Sequence, residues 1–438
     1  LSADGDLARD PAARLREIDW SALDGIGADV AAALAPVLGG ASAERTLDRF
    51  LRAHRGFTSA QRAASAWALF GVALWRRRLA AALGLTWDDA RASRDLPQRA
   101  AELLAVLLRD LGGIEDALAC AWCEVAMLAP APAPRTRPTA ERCSLPDWLW
   151  AQLVAALGEA DAAAYAESIS LPGPICLRAN RLRTDRESLR GALGAERIDC
   201  APAPHARDGL LVRSPRPNLL ASSAARAGLF EAQDEGSQLL GELLEAQPGE
   251  TVIDLCAGAG GKSLQLAAAV GARGRVLCCD IDAPRLERLR IRAQRAGASA
   301  IEVCELNSLP GSFVADRVLV DAPCSELGPL RRGPDARWRL APASFAALPA
   351  LQGRLLDEAA RRVRPGGRLV YATCTVRREE NEEVAERFER DHPAFRRAQP
   401  GAGWLDESFV HQRFFHALPH RHGTDGFFAA VWDRAPAM

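Results

Sequence analysis

The chain nearly lacks lysine: of 438 residues 55 are basic, and every one except Lys262 is arginine. A composition so rich in Ala, Arg, Gly and Pro fits a GC-rich coding sequence. The single lysine then marks a place where a compact ammonium serves and a planar fork does not. Net charge is missing too, since 56 acidic residues offset the basic ones to leave −1 at pH 7. That excludes a basic-tail nucleic-acid binder but not a folded protein with a local basic groove. No apolar stretch reaches the roughly 18 to 20 residues a bilayer span needs, so no membrane partner is expected. The eleven cysteines have no framework spacing, which points to a reducing compartment. The opening LSADGDLARD lacks the basic-then-apolar order of a secretory signal, and the expected location is the cytoplasm. Cys120 and Cys123 have the spacing of half a zinc site, but no second pair follows, so no metal is expected.

What is present is ample material for a core, 48% hydrophobic residues, at a length that favours two or three domains. From Ala12 to Leu128 the pattern is Ala- and Leu-rich with helical periodicity and no strand signal, so residues 1–130 read as an all-α helical domain. Prolines in APAPAPRTRPTAERC hold the chain extended, and residues 131–143 read as a linker. Residues 144–235 are a mixed connector region in which CLRANRLR reads as a strand leaving into a turn. From 236 to 438 strands alternate with helices: TVIDLCAG, RVLCCD, EVCEL, RVLVDAP and GRLVYATC. That grammar requires an α/β fold with a doubly wound, mostly parallel sheet covered on both faces. A helix from Glu379 and a late strand near FFAAVW close the chain.

In DLCAGAGGKS, residues 254–263, a buried strand meets a helix through a loop whose Gly258, Gly260 and Gly261 let a ligand approach the backbone closely. The loop fits neither the phosphate-loop nor the strict dinucleotide spacing. Asp280 ends the next strand, where a carboxylate can accept from both hydroxyls of a ribose, so a nucleoside-bearing cofactor is expected. Asp282 is the competing acid and reads as a helix cap. VLVDAPCS and LVYATCTV bring Asp321, Cys324 and Cys374 to the ends of two later strands, the edge at which open parallel sheets bind ligands. Two cysteines beside an acid suit methylation of a pyrimidine ring carbon. A thiolate adds to carbon 6, an acid near nitrogen 3 assists, and a base then removes the carbon-5 proton. Lys262 on the glycine loop can bridge carboxylates such as Asp321 or Asp254.

Together DLCAGAGGKS, DAPCSELGPLRRGPDARW, YATCTVRREENEEV and GTDGFF resemble the Sun/Fmu family of S-adenosylmethionine-dependent RNA cytosine-5 methyltransferases, most of all its bacterial 16S rRNA branch. The resemblance runs from about Ser144 to Arg434 and implies a Rossmann-like class I methyltransferase. It makes Cys374 the nucleophile and Cys324 the residue that helps release product. Cys256, Ala257, Gly258, Ala259, Gly260, Gly261, Lys262, Asp280 and Arg285 are implied to hold S-adenosylmethionine, with Asp321 touching both cofactor and base. LRANRLR resembles the family's RNA-binding element, with Arg178, Asn180 and Arg183 on it. Arg331, Arg332, Arg337 and Arg339 around Trp338 form a second cluster suited to phosphate contact and base stacking, although Trp338 equally suits a core. The first helices resemble, faintly, a NusB-like RNA-binding domain, and the protein is expected to act as a monomer on rRNA. Three positions depart from the family pattern. Gly258 and Ala259 stand for Ala-Pro, Glu326 stands for Gly, and Asn307 stands for the Asp that meets the adenine amino group. Two other readings share these features: a non-catalytic RNA-binding or assembly factor with a decayed pocket, and a methyltransferase acting on another RNA or on DNA.

Overall fold

The computed structural model describes residues 11–130, 137–214, 217–304 and 313–437. The chain divides into two compact units, one of Leu1–Pro172 with Leu330–Pro342 and one of Gly173–Pro329 with Ala343–Met438. The expected linker falls partly on residues 131–136, outside the described residues, and the chain is helical again from Thr139.

Helices build the first unit, and no strand is present among its described residues. Its longest helix, Ser59–Ala82, starts at a capping box in which Thr58 Oγ1 accepts from Gln61 N–H and Gln61 Oε1 accepts from Thr58 N–H; two orphan donors are thereby satisfied. Ala64, Ala68, Leu69, Val72 and Leu79 on its inner face are buried together with Leu103, Leu104 and Leu107. Gly71 permits that approach, because a Cβ there would lie 2.7 Å from Leu107 Cδ1. Cys120 and Cys123 are buried in the same core.

The arginine cluster at 331–339 divides by burial. Arg337 is fully enclosed, its guanidinium donating to the carbonyls of Ile169 and Cys143. Burial lowers its pKa to about 10, so it stays charged at neutral pH. The expectation that it meets phosphate is corrected: its guanidinium is enclosed within the protein. Trp338 is packed rather than displayed, with the buried Arg76 guanidinium 5.5 Å from its ring centroid and Trp87 5.5 Å away, a cation–π arrangement. Arg339 pairs with Asp335 at 2.8 Å, and of the group Arg332 and Arg339 are exposed.

Two sheets form the second unit among its described residues. The strands are β1 Cys176–Ala179, β2 Cys200–Pro202, β3 Gly209–Val212, β4 Phe230–Ala232, β5 Thr251–Asp254, β6 Arg275–Cys278, β7 Ile301–Val303, β8 Ala315–Asp321, β9 Val363–Thr373, β10 Phe395–Arg397, β11 Val410–His411, β12 Phe414–Ala417 and β13 Phe427–Arg434. A small antiparallel sheet runs β2-β3-β1-β4 and packs on the helix Arg186–Ala195 through Leu177, Leu189, Leu193 and Leu210. The large sheet runs β11-β12-β13-β9-β8-β5-β6-β7, with β10 on β13. It is parallel from β7 to β9 and antiparallel beyond, so the parallel pairing expected of the strand–helix alternation ends at β9. The order reverses at β5, whose neighbours are β6 on one side and β8 on the other; this switch point opens a crevice at the strands' carboxyl ends.

Replacing Arg337 by Ala takes a donor from the Ile169 carbonyl, leaves the Cys143 carbonyl with Ser170 Oγ, and is expected to lower the unfolding free energy by about 3 kcal/mol in urea denaturation. A surface arginine would cost no more than about 0.5 kcal/mol.

Candidate functional site

After β5 the chain turns through Cys256–Gly261 into the helix Gly261–Val270. Gly258 and Gly260 take positive φ of 54° and 87°, and a Cβ on Gly260 would lie 2.6 Å from Leu289 Cγ; both demands suit glycine alone. By contrast, a Cβ on Gly258 or Gly261 would meet nothing within 4 Å, so the loop's outer side offers room for a ligand. Ala257 N–H donates to the Cys279 carbonyl at 2.9 Å, and Arg292 donates to the Ala259 carbonyl at 2.6 Å. Asp280 Oδ2 accepts from Gly258 N–H and Oδ1 from Asp282 N–H, each at 2.8 Å. A carboxylate has about four acceptor positions, so each oxygen keeps one for a ribose hydroxyl. Open space over the loop, these free lone pairs and the backbone donors of a helix start fit S-adenosylmethionine. Ile281, next in sequence, is fully exposed and offers an apolar face for a flat ring.

At the reacting end, β8 and β9 run parallel with Asp321 opposite Ala372, so the loops after them leave the sheet side by side. Cys324 Sγ and Cys374 Sγ lie 3.3 Å apart, and Cys374 N–H donates to Cys324 Sγ. Gly328 N–H donates to the Cys374 carbonyl at 2.9 Å, and a Cβ on Gly328 would sit 2.0 Å from the Gly426 carbonyl oxygen. Three chain segments therefore meet at a point with no room for a side chain. Lys262 Nζ donates to Asp321 Oδ2 at 2.7 Å, with the lysine side chain 10% and the aspartate 32% exposed. Burial works against the ammonium, but the Asp321 charge and hydrogen bond outweigh it and raise the Lys262 pKa. The hydrogen bond with Cys324, burial and the charges of Cys324, Asp321 and Glu326 all push the Cys374 thiol well up, so it rests protonated. Asp254 is buried and accepts from Ser263 Oγ at 2.7 Å, while its Oδ1 has no partner. Burial, reinforced by the Asp321 charge, raises its pKa to about 7 against the bonds from Ser263 and the field of Lys262. A proton can thus be held at Cys374 or at Asp254 beside a fixed cation.

The structure brings together Cys324, Cys374, Asp321 and Lys262, and it sets Asp280 against Gly258. Asp282 caps the helix Ala283–Ala296 through Arg285 N–H. The Arg285 side chain is exposed and lies 3.4 Å from Asp282. Asn307 lies outside the described residues. Arg178 is 4% exposed and donates to Gln233, Gln265 and the Gly261 carbonyl, so it supports the glycine loop from beneath. The Asn180 amide is likewise enclosed, donating to the Gly228 and Ala296 carbonyls. These two were expected as RNA contacts, and their burial instead makes them ties between the small sheet and the helices Gly261–Val270 and Ala283–Ala296. Arg183 is exposed, lying against Gly297. Sequence reasoning missed Glu380 and Asn381. Glu380 is fully buried and accepts from Ser325 N–H and Gln352 Nε2, each at 3.0 Å. Asn381 holds Thr373 Oγ1 and the Thr375 carbonyl, one on each side of Cys374.

Residues 242–433 match the family model described as 16S rRNA methyltransferase RsmB/F, and residues 145–218 match the RsmF/B-like ferredoxin-like domain. Over 304 residues the chain is 33% identical to the probable ribosomal RNA small subunit methyltransferase B of Synechocystis sp., covering 67% of this chain and 68% of that protein. In fold it is similar to the crystal structure of PH0851, with a TM-score of 0.76 and 24% identity over 93% of this chain and 98% of that one. It is also similar to NSun6 from Pyrococcus horikoshii with SFG, with a TM-score of 0.59 and 20% identity over 67% of this chain and 99% of that one.

The raised pKa of Asp254 has a signed consequence. Between the ordinary carboxyl range and about 7 the folded protein holds a proton that the unfolded chain has released, so stability falls as pH rises through that window. The wild-type melting temperature, relative to that of Asp254→Asn, is expected to drop on going from about pH 5 to about pH 8. A difference that does not vary with pH would show that Asp254 is charged throughout.

Proposed function

This chain belongs to the RsmB/F, or Sun/Fmu, family of 16S rRNA methyltransferases, and from that membership we propose that it methylates carbon 5 of a cytosine in small-subunit rRNA through a covalent bond between Cys374 and the base. The observation that carries the reading is the pair of thiols 3.3 Å apart beside the Lys262–Asp321 ion pair. Carbon 5 of cytosine is a poor nucleophile, and addition of sulfur to carbon 6 turns the ring into an enamine that can attack an electrophile. S-adenosylmethionine, when bound, supplies that electrophile as an activated methyl group. Its nucleoside is held by Asp280 and by the loop from Cys256 to Lys262.

Each residue then has a task. As the base enters, Cys374 gives its proton to Asp321, held by Lys262, and its sulfur bonds carbon 6, while Asp321 passes that proton on to ring nitrogen 3, where the addition places negative charge. Once carbon 5 carries its methyl group, a base removes the remaining carbon-5 proton, the ring double bond re-forms and the Cys374 sulfur leaves. Cys324, in contact with that sulfur, assists this last step. The high resting pKa of Cys374 fits a thiol that is idle until RNA rearranges its surroundings. Phosphate contact falls to exposed arginines such as Arg183, Arg332 and Arg339, rather than to the buried Arg178 and Arg337.

With methyl-labelled S-adenosylmethionine and unmodified small-subunit RNA, the wild type is expected to incorporate label at cytosine. Cys374→Ala should reduce turnover by about 10⁴-fold or more, as loss of a nucleophile does. Cys324→Ala should leave protein bound to RNA as a gel shift that survives denaturant. Full turnover by Cys374→Ala, or label on another base, overturns the reading.

A further inference from the structure

Glu380 lies in RREENEEV, a charged run that reads as the solvated start of a helix, yet its side chain is 0% exposed. Its Oε2 accepts from Ser325 N–H and Gln352 Nε2, both at 3.0 Å, and its Oε1 accepts from Arg377 Nη1 at 3.0 Å. Gln352, also fully buried on the helix Leu348–Arg362, donates from the same nitrogen to the Pro323 carbonyl at 2.9 Å. The Glu380 carboxylate therefore grips the backbone on both sides of Cys324, directly at Ser325 and through Gln352 at Pro323. Tyr371 donates its hydroxyl to the Glu380 carbonyl at 2.5 Å, which fixes the same residue to β9 three positions before Cys374. A further tie joins the residues that follow the two cysteines, Ser325 Oγ and Thr375 Oγ1 at 2.8 Å.

The charge belongs where it is. A buried carboxylate is tolerated only when its acceptor sites are filled, and here two neutral donors and one guanidinium fill them. A carboxylate is acceptor-only, so all three donors are satisfied together. An amide could not do this, because whichever way it turned, its own N–H groups would face a donor. The side chain touches neither the thiols nor the cofactor loop, so any effect on chemistry passes through the placement of Cys324.

We propose that Glu380 is a positioning residue for product release, holding Cys324 against Cys374 so that the carbon-6–sulfur bond can break. The inference rests on the roles given above to the two cysteines. Loosening the Pro323–Ser325 loop leaves Cys374 able to add to the base while Cys324 drifts from the place where it assists elimination. Displacement by about 1 Å of a group that must be aligned can cost up to about a hundredfold.

The test uses the full chain with small-subunit RNA and S-adenosylmethionine, comparing wild type, Glu380→Gln, Gln352→Leu and Cys324→Ala. The expected result is a kcat lowered about tenfold to a hundredfold with KM for RNA unchanged. A denaturant-stable protein–RNA adduct should accumulate during turnover, as in Cys324→Ala and unlike wild type. A merely structural role would lower melting temperature and activity together and leave no adduct. Gln352→Leu removes the Pro323 tie and one donor to Glu380 while leaving the Ser325 tie, and it carries the test if Glu380→Gln does not fold. If Cys324→Ala traps an adduct while neither clamp variant does, the proposal is overturned and the cysteine roles stand. If Cys324→Ala traps none, the cysteine roles fail and the proposal fails with them.

Discussion

The pairing of β8 with β9 governs this molecule's chemistry. Because the strands are parallel and Asp321 stands opposite Ala372, both chains leave the sheet at the same level and in the same direction. An acid, two thiols and the lysine of the neighbouring loop are thereby delivered to one edge. A slip of one residue would turn one of the strand-end side chains to the opposite face and separate the thiols. Much of the surrounding structure resists such a slip. Val318, Leu319 and Val320 are buried on the two faces of the sheet, and Gly328 is wedged against Gly426 and Cys374 where three backbones touch.

The electrostatics follow from the same crowding. Asp254, Asp321 and Asp280 all bear on Cys256 and raise its pKa, with burial the larger cause. The one ammonium of the chain pairs with Asp321 at 2.7 Å, whereas Asp254 turns to Ser263. A lysine fits this point because a small, rotatable donor can reach one carboxylate while it stays close to a second. An arginine would present a planar fork in place of that single point donor. The near-absence of lysine elsewhere makes the choice visible, but the reason for it is local.

Much of the site was legible because its parts are short and contiguous. The glycine loop, the strand-ending Asp280 and the two cysteine motifs each sit within ten residues, and the strand–helix alternation fixes their common edge. What could not be read depends on contacts distant in sequence. Arg337 looks like its exposed neighbours in RRGPDARWR, and only the carbonyls of Cys143 and Ile169 make it a core residue. Arg178 in LRANRLR is drawn inward by Gln233, Gln265 and Gly261. Glu380 was hidden for the opposite reason, since a glutamate among glutamates carries no sign that it is enclosed. Short antiparallel strands such as β10, β11 and β12 gave too few residues for alternation to register, although they complete the sheet beyond β9.

That outer part of the sheet bears on when the protein becomes competent during its own synthesis. β9 carries Cys374 at its end, but its second edge is closed by β13, Phe427–Arg434, and the backbone at Gly426 presses on Gly328. A nascent polypeptide that has passed residue 374 has already made both thiols, the glycine loop and the lysine. It still has an open flank on the strand that leads to Cys374 until more than fifty further residues emerge. Local order at this edge therefore depends on a strand that is made well after the thiols themselves.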